Sequence, residues 1–477
     1  MKVIMDNMLH FKTDDLDERM LIKLRKRFRQ KNPDYEDDKT QSEYIKMYIE
    51  KNNRMYVPRG VQTELLDILP EGTELVDKRL ELEEIEFNLR KDFVPYRHQR
   101  VSARLAKILT QGTIESPCGS GKTVILLYLI TLCKQPAIIL VPDTTLQKQW
   151  ISNAKYLLGL KDKEIGLIGD GNYDYKEKKL TVAPVQSIYS HLDDRELFRS
   201  FGFVGGDEIH FYAAKTFRTS INLFYAKYRF GVTATLFRTD NLGCFIEDYC
   251  GKKLYTVTDE MLEKEGLLLK PELVKRPTTF KFRVDYRYRN WYMTMTKYMS
   301  ANSVRNKFIC NDIIKNSYKE KRMALVVSTT VNHCAMLAKI LLKKEPKIRI
   351  GFLTEIRDKT LYNVETIDVE EKAKQGKIDV VMGVQKVRQG LDIPPLEDVY
   401  LVMPRKSAID ITQIVGRVMR PSDCFGKYEN KMDKVARVYD YIDVNIPVLE
   451  KQFKESRLPI YEKRCKVKSA KRRVRHE

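Results

Sequence analysis

From about residue 93 onward, short apolar runs alternate with segments whose apolar residues recur every three or four positions. In the first series the runs are Ala137–Val141 and residues 180–183, 203–206 and 228–232, with a helical segment leading from the first of them through Trp150. A second series begins near Arg322 with MALVVS and a helix reaching Leu342. It continues through IRIGFL, DVVMGV, VYLVMP and ARVYDY. Runs of this length, apolar throughout rather than alternating, predict strands of a parallel sheet covered by helices on both faces. Two series predict two α/β domains, and no tandem repeat of 20–50 residues interrupts them.

The first 90 residues read differently. Residues 16–29 and 40–51 have helical spacing, and residues 55–58 and 61–69 are shorter segments around a Pro-Arg-Gly turn. The stretch closes on the acidic residues 81–86. A small separate module is predicted there, and its chemistry is not legible.

At ~150 residues per domain, 477 residues accommodate this arrangement. No run of 18 apolar residues is present, so no membrane span is expected. The first twenty residues place acids where a signal peptide needs an apolar core. The eight cysteines are scattered without a CxxC pair, which fits free thiols in a reducing compartment and no structural zinc. A cytoplasmic protein is expected.

The formal charge is +21. Residues 1–90 hold 17 Lys/Arg against 20 Asp/Glu, a net of −3, so the remainder carries +24. Positive charge confined to one part of a chain suggests a polyanionic partner, nucleic acid before membrane. A solvated surface in a lysine-rich protein is the plainer explanation. Residues 463–475 contain eight basic residues and no acid, and are expected to be a flexible arm. Residues 279–289, TFKFRVDYRYR, alternate rings with cations and lead into Trp291 and Tyr292. On a strand that alternation gives one ring face and one cationic face, suited to stacking on single-stranded bases, or to a half-buried strand with a solvated side.

Residues 114–123 read IESPCGSGKT between a strand and an apolar helix. Glycines there let backbone N–H groups cradle phosphates at the helix N-terminus. Lys122 would neutralise the β- and γ-phosphates of ATP, and Thr123 would hold Mg²⁺. Ser116 stands where the full phosphate-loop pattern has its first glycine. Eighty-five residues after Lys122, GGDEIH, whose Asp207 lies 85 residues after Lys122, follows another apolar run. Asp207 falls at a strand's C-terminal end, where Mg²⁺ lies in phosphate-loop proteins, and Glu208 is placed to activate water. In the second series, QIVGRVMR on a helix would align Gln413, Gly416, Arg417 and Arg420 on one face, with both arginines as candidate fingers for a γ-phosphate. GVQKVRQGLDIP offers Gly390 for close backbone approach and Asp392 as an acceptor for a ribose or for the arginines.

These segments, in this order, resemble the superfamily 2 helicases of the DExH type over roughly residues 93–445. YRHQ at residues 96–99 looks like the adenine-reading motif, with Gln99 as reader. SPCGSGKT resembles motif I and brings Gly119, Ser120 and Gly121 to the nucleotide. LVPDTTLQKQW resembles motif Ia, and VAPVQSI the next strand-contacting motif. DEIH is motif II, with His210 at the nucleotide site, and TAT at residues 233–235 is motif III. VVSTT at residues 326–330 sits at motif IV, VRQGLDIP at motif V and QIVGRVMR at motif VI. Ile414 replaces the arginine that often opens motif VI, so only Arg417 and Arg420 carry over as fingers. The set looks most like the branch containing XPB and the phage helicase UvsW, and its size fits phage branch-migration helicases such as that of phage T5.

The resemblance implies two RecA-like parallel-sheet domains behind a small N-terminal module. The expected divisions are residues 1–90, 91–262, 263–448 and a basic tail at 449–477. It implies ATP and Mg²⁺, and a monomeric motor that unwinds or branch-migrates forked DNA in replication, recombination or repair, in the host cytoplasm if phage-encoded. Residues 23–29 are a basic face of the first module that could touch a second duplex arm. Two other functions remain open: a motor subunit of a restriction complex, and an RNA helicase.

Overall fold

The computed structural model describes residues 1–32, 35, 40–117, 119–210, 215–234, 243–285, 287, 289–354, 361, 364–384, 391 and 393–467. The chain divides into two compact units, Met1–Thr258 and Asp259–Glu477.

The first unit is built on an eight-stranded sheet. Its strand order is Asn172–Asp174, Ile165–Gly169, Leu180–Pro184, Ala137–Val141, Phe203–Asp207, Tyr228–Thr233, Gln111–Glu115 and Lys253–Thr256. All pairings are parallel except the outermost hairpin formed by the first two. Every residue of the strands Ala137–Val141, Leu180–Pro184, Phe203–Asp207 and Tyr228–Thr233 is buried, the mark of strands covered on both faces. Registers place Asp207 beside Val232 and Val232 beside Ile114. The acidic pair and the glycine loop therefore leave the sheet at the same C-terminal edge, where ligands of parallel α/β sheets bind.

Residues 1–90 form their own five-stranded sheet, yet they are not a separate globule. Their core, including Val3, Phe11 and Val57, is continuous with Val204, Phe217 and Phe245 of the parallel-sheet region. Arg59 is fully buried and fastens the two parts. Its Nε donates to Gln111 Oε1 at 2.8 Å, and its Nη1 donates to the carbonyls of Asp6 at 3.1 Å and Ala226 at 2.8 Å. Burial, with Arg229 nearby, holds its pKa well below the usual guanidinium value. The helix expected at residues 40–51 is absent. Tyr44–Lys46 and Ile49–Lys51 are strands, in keeping with a YIKMYI run of aromatic and β-branched residues that finds partner strands.

The second unit carries a six-stranded, wholly parallel sheet. Its order is Glu272–Pro277, Arg437–Ile442, Asp398–Leu401, Ala324–Val327, Val380–Gly383 and Ile350–Phe352. The predicted runs of both series are strands, and the α/β class with two parallel-sheet domains holds.

The basic tail expected at residues 449–477 is partly helical. Pro447–Gln452 and Leu458–Arg464 are helices. Arg457 donates to Asp440 at 2.7 Å, and Arg464 clasps Asp259 with two bonds of 2.7 and 2.8 Å; all four side chains are buried. These buried carboxylates, Asp259 from 205 residues away and Asp440 from 17, turn part of what reads as a loose cationic run into docked helix. Residues 468–477 lie outside the described residues. Among the described residues, no helix is long and apolar enough to cross a membrane.

Candidate active site

The loop between strand Gln111–Glu115 and helix Lys122–Cys133 is held from several sides. Ser116 takes the place of the expected first glycine and is buried. Its hydroxyl donates to Ser120 Oγ at 2.6 Å, while Ser120 Oγ donates to the Pro117 carbonyl at 2.6 Å. A serine suits this position because its hydroxyl braces the loop internally. His98 Nε2 and Gln99 Nε2 both donate to the Ser120 carbonyl, at 2.8 and 3.0 Å. Gln99 Oε1 accepts from Tyr96 N at 2.9 Å. The proposed adenine reader thus ties the start of its own helix to the phosphate loop. Gly119 and Gly121 have φ of 87° and 79°. A Cβ on Gly121 would stand 2.4 Å from Gln99 Nε2, so glycine is required there both for conformation and for space.

Lys122 and Thr123 open the helix, and Lys122 Nζ lies 3.0 Å from Glu208 Oε1. Asp207 ends its strand. Its Oδ2 accepts from Trp150 Nε1 at 2.8 Å, and its Oδ1 accepts from Glu208 N at 2.8 Å. Glu208 sits at φ 51°, a strained conformation for a residue with a side chain, of the kind held at functional sites. His210 Nδ1 is 2.8 Å from Thr233 Oγ1 and 3.2 Å from Glu208 Oε2. The phosphate loop, the acidic pair and Thr233 are one connected polar cluster.

The two acids are tuned apart. Burial, then the Glu208 charge, raises Asp207 to about 6. Burial pushes Glu208 the same way, but Lys122 and His210 outweigh it and hold Glu208 below the usual carboxylate range. A buried carboxylate at a strand end, pushed toward protonation and offering hard oxygen donors, fits a divalent cation such as Mg²⁺. Thr123 lies in the first turn of the adjacent helix, where its hydroxyl would be a second oxygen donor.

A pH dependence follows. In the protein without metal, Asp207 binds its proton more tightly when folded. Its contribution to stability is therefore full below the ordinary aspartate value of 3.8 and lost as pH rises through about 6. Cation binding needs the ionised form. ATP turnover should fall as pH drops through about 6, and excess Mg²⁺ should move that midpoint lower. A midpoint indifferent to Mg²⁺ between 0.1- and 10-fold of a standard concentration would assign the titration to another group.

In the second unit, Gln413 is buried on helix Ala408–Gly416, and Ile414, Val415 and Val418 are buried as expected. The helix ends at Gly416, so Arg420 falls off the single face proposed for it with Gln413, Gly416 and Arg417. Arg417 is the capping residue. It is buried, and its Nη1 donates to the Leu391 carbonyl at 2.5 Å. Arg420 lies beyond the helix and is half-buried. Gly390 and Asp392 lie outside the described residues. At residues 326–330, Ser328 and Thr330 are occupied locally. Ser328 Oγ pairs with His333 Nδ1 at 2.8 Å, and Thr330 caps the following helix.

Two expected nucleic-acid surfaces change. Residues 279–285 form no strand, although burial alternates: Phe280 is buried, while Phe282 and Val284 pack partly against the unit's core. Those apolar side chains serve packing. Trp291 starts helix Trp291–Ala301 and also leans on that core. Tyr286 and Tyr288 lie outside the described residues. In the basic face at residues 23–29, Arg25 pairs with Glu50 and Glu18, and Arg27 with Glu64 and Asp248, which neutralises much of it.

Sequence reasoning missed His98, Ser116 and Trp150 as site residues. Trp150 is one of two tryptophans, placed mid-helix after a buried strand, and that rarity was the available signal.

Two family descriptions match the chain. "Type III restriction enzyme, res subunit" covers residues 82–238, and "Helicase conserved C-terminal domain" covers residues 305–422. One lies in each unit. The chain belongs to the superfamily 2 helicases. Probable helicase D10 of Escherichia phage T5 is 27% identical over 269 residues, 54% of this chain and 54% of that protein. The chain therefore spans about half the length of that relative. DNA 3'-5' translocase XPB2 of Sulfurisphaera tokodaii is 25% identical over 381 residues, 73% of this chain and 85% of that protein. A solved fragment described as an HsdR subunit of a type I restriction enzyme from Vibrio vulnificus shares the fold. Its TM-score is 0.56 at 17% identity, covering 80% of this chain and 68% of that one.

Proposed function

We propose that this helicase works on DNA, unwinding or branch-migrating forked and branched substrates. The observation carrying its motor part is the Lys122–Glu208–His210–Thr233 cluster, in which His210 and Thr233 are buried. It joins the groups that would hold phosphate and water to a threonine on the neighbouring strand. ATP would draw Lys122 from Glu208 onto its phosphates, freeing that carboxylate to orient the attacking water. Asp207 and Thr123 would hold Mg²⁺, which supplies charge stabilisation for the phosphoryl oxygens. Release of Glu208 would also alter its contact with His210, and so pass the nucleotide state to Thr233. Arg417 and Arg420, supplied by the second unit, would act on the γ-phosphate during turnover. Gln99, Gly119, Ser120 and Gly121 would line the nucleotide; Gly390, Asp392 and Gln413 are proposed to complete the site.

The +24 of formal charge beyond residue 90 suits a nucleic acid, and DNA is preferred because a relative named as a DNA translocase matches most of both chains. The restriction-type family description and the HsdR likeness favour a second reading, a motor subunit serving a separate nuclease. ATP hydrolysis measured with forked, four-way, linear single-stranded and duplex DNA, and with RNA, tests the proposal. Forked or four-way DNA should stimulate most. Equal stimulation by linear duplex favours the restriction-type translocase, and strongest stimulation by RNA overturns the DNA assignment.

A further inference from the structure

The second unit's sheet has a further edge, opposite the strand C-termini. There the residues leading into Ala324–Val327, Val380–Gly383 and Ile350–Phe352 surround an open basin of about 420 Å³. Lys319, Lys321 and Arg349 line it, and both lysines are exposed. Asp379 is the one carboxylate in the lining. It holds the half-exposed Arg349 guanidinium through bonds of 2.5 and 3.1 Å, and so orients it. Lys319 lies 3.9 Å from Glu345, a loose contact. The basin keeps a cationic excess.

Its aromatic side is unusual. Phe425 is 53% exposed, although phenylalanine is ordinarily buried. Cys424, Phe425 and Gly426 have φ of 48°, 64° and 78°, three successive left-handed residues of which only one is glycine. Such strain persists only where the surroundings enforce it, and it gathers at sites with a task. Here the enforcement is visible. Cys424 is buried, its Sγ donating to the Pro395 carbonyl at 3.6 Å and its N to Ser422 Oγ at 3.1 Å. Phe425 N donates to Asp423 Oδ1 at 3.2 Å. The anchored backbone thus presents a ring to solvent. Gly376 leaves room for it, since a Cβ there would lie 3.3 Å from the ring.

We propose that this basin binds a nucleotide, its base stacked on Phe425 and its phosphate held by Lys319, Lys321 and Arg349. An exposed ring beside several cations matches that ligand, because every base offers a π-face and every phosphate an anion. A plain anion site would have no use for a strained, exposed phenylalanine. The nucleotide comes from a single strand or from the free pool. The strand source rests on the reading of the chain as a nucleic-acid motor.

Photo-cross-linking of the full-length protein tests this. The probes are a 5-iodouracil-substituted single-stranded oligonucleotide and 8-azido-AMP, with cross-linked peptides located by mass spectrometry. Cross-links should appear at Phe425 or Tyr318, from the oligonucleotide if a strand is bound and from 8-azido-AMP if the ligand is free. The double variant Lys319→Ala, Lys321→Ala should cut their yield roughly tenfold, and Phe425→Leu should weaken oligonucleotide protection of this basin about as much. Nucleic-acid-stimulated ATP hydrolysis should stay at the wild-type level in these variants, so failure here is distinguishable from failure of the motor reading. Two results would overturn the proposal: cross-links elsewhere with none at Phe425 or Tyr318, or displacement of the oligonucleotide from this basin by polyglutamate as readily as by unlabelled oligonucleotide.

Discussion

Glu208→Gln should bind ATP nearly as well as the wild type and lose turnover by ~10²–10⁴-fold, the usual worth of a positioned general base. The substitution keeps the shape and removes the charge. It leaves Lys122 without the partner that stands 3.0 Å away, so affinity for the phosphates should hold or rise. Lys122→Ala should also abolish turnover, for the opposite reason: the phosphates lose their counter-charge and binding weakens with it. Measuring nucleotide affinity and single-turnover hydrolysis on both variants separates the roles. Wild-type hydrolysis by Glu208→Gln would mean that the acidic pair does not activate water.

Arg417→Ala should lower turnover by ~10³-fold or more if the guanidinium meets the γ-phosphate, with a much smaller effect on nucleotide binding. The side chain is buried and donates to the Leu391 carbonyl. That bond uses one of its three nitrogens, so the others could meet a phosphate, and its removal also strands a buried acceptor. Arg417→Lys separates these effects. Lysine keeps a donor and a charge but not the planar fork. A finger should stay crippled with lysine, whereas a purely structural arginine should be largely rescued. Arg420, half-buried beyond the helix end, serves as the comparison.

Local features of the chain were legible, and features made by distant partners were not. IESPCGSGKT and GGDEIH carry their own context of strand, turn and helix, so their place at one sheet edge followed from sequence. The Trp150–Asp207 and His98–Ser120 bonds join residues 57 and 22 positions apart, and no spacing rule announces them. The helix expected at residues 40–51 failed because neighbouring strands settle a choice that an aromatic, β-branched run leaves open. The start of the tail was misread because Asp259, the partner of buried Arg464, lies 205 residues away, and Asp440, 17 residues before Arg457, sits inside a buried strand. The helix carrying QIVGRVMR stops at Gly416, where glycine's helix penalty works against its continuation, and that removed the shared face assumed for the two arginines.

The most direct test of the central claim is ATP-driven strand separation of a forked DNA duplex by the full-length protein, run beside Glu208→Gln at saturating ATP and Mg²⁺. The account predicts separation by the wild type that requires hydrolysable ATP, and binding without separation by the variant. Separation by Glu208→Gln at the wild-type rate, or wild-type separation unchanged with a non-hydrolysable nucleotide, would contradict it.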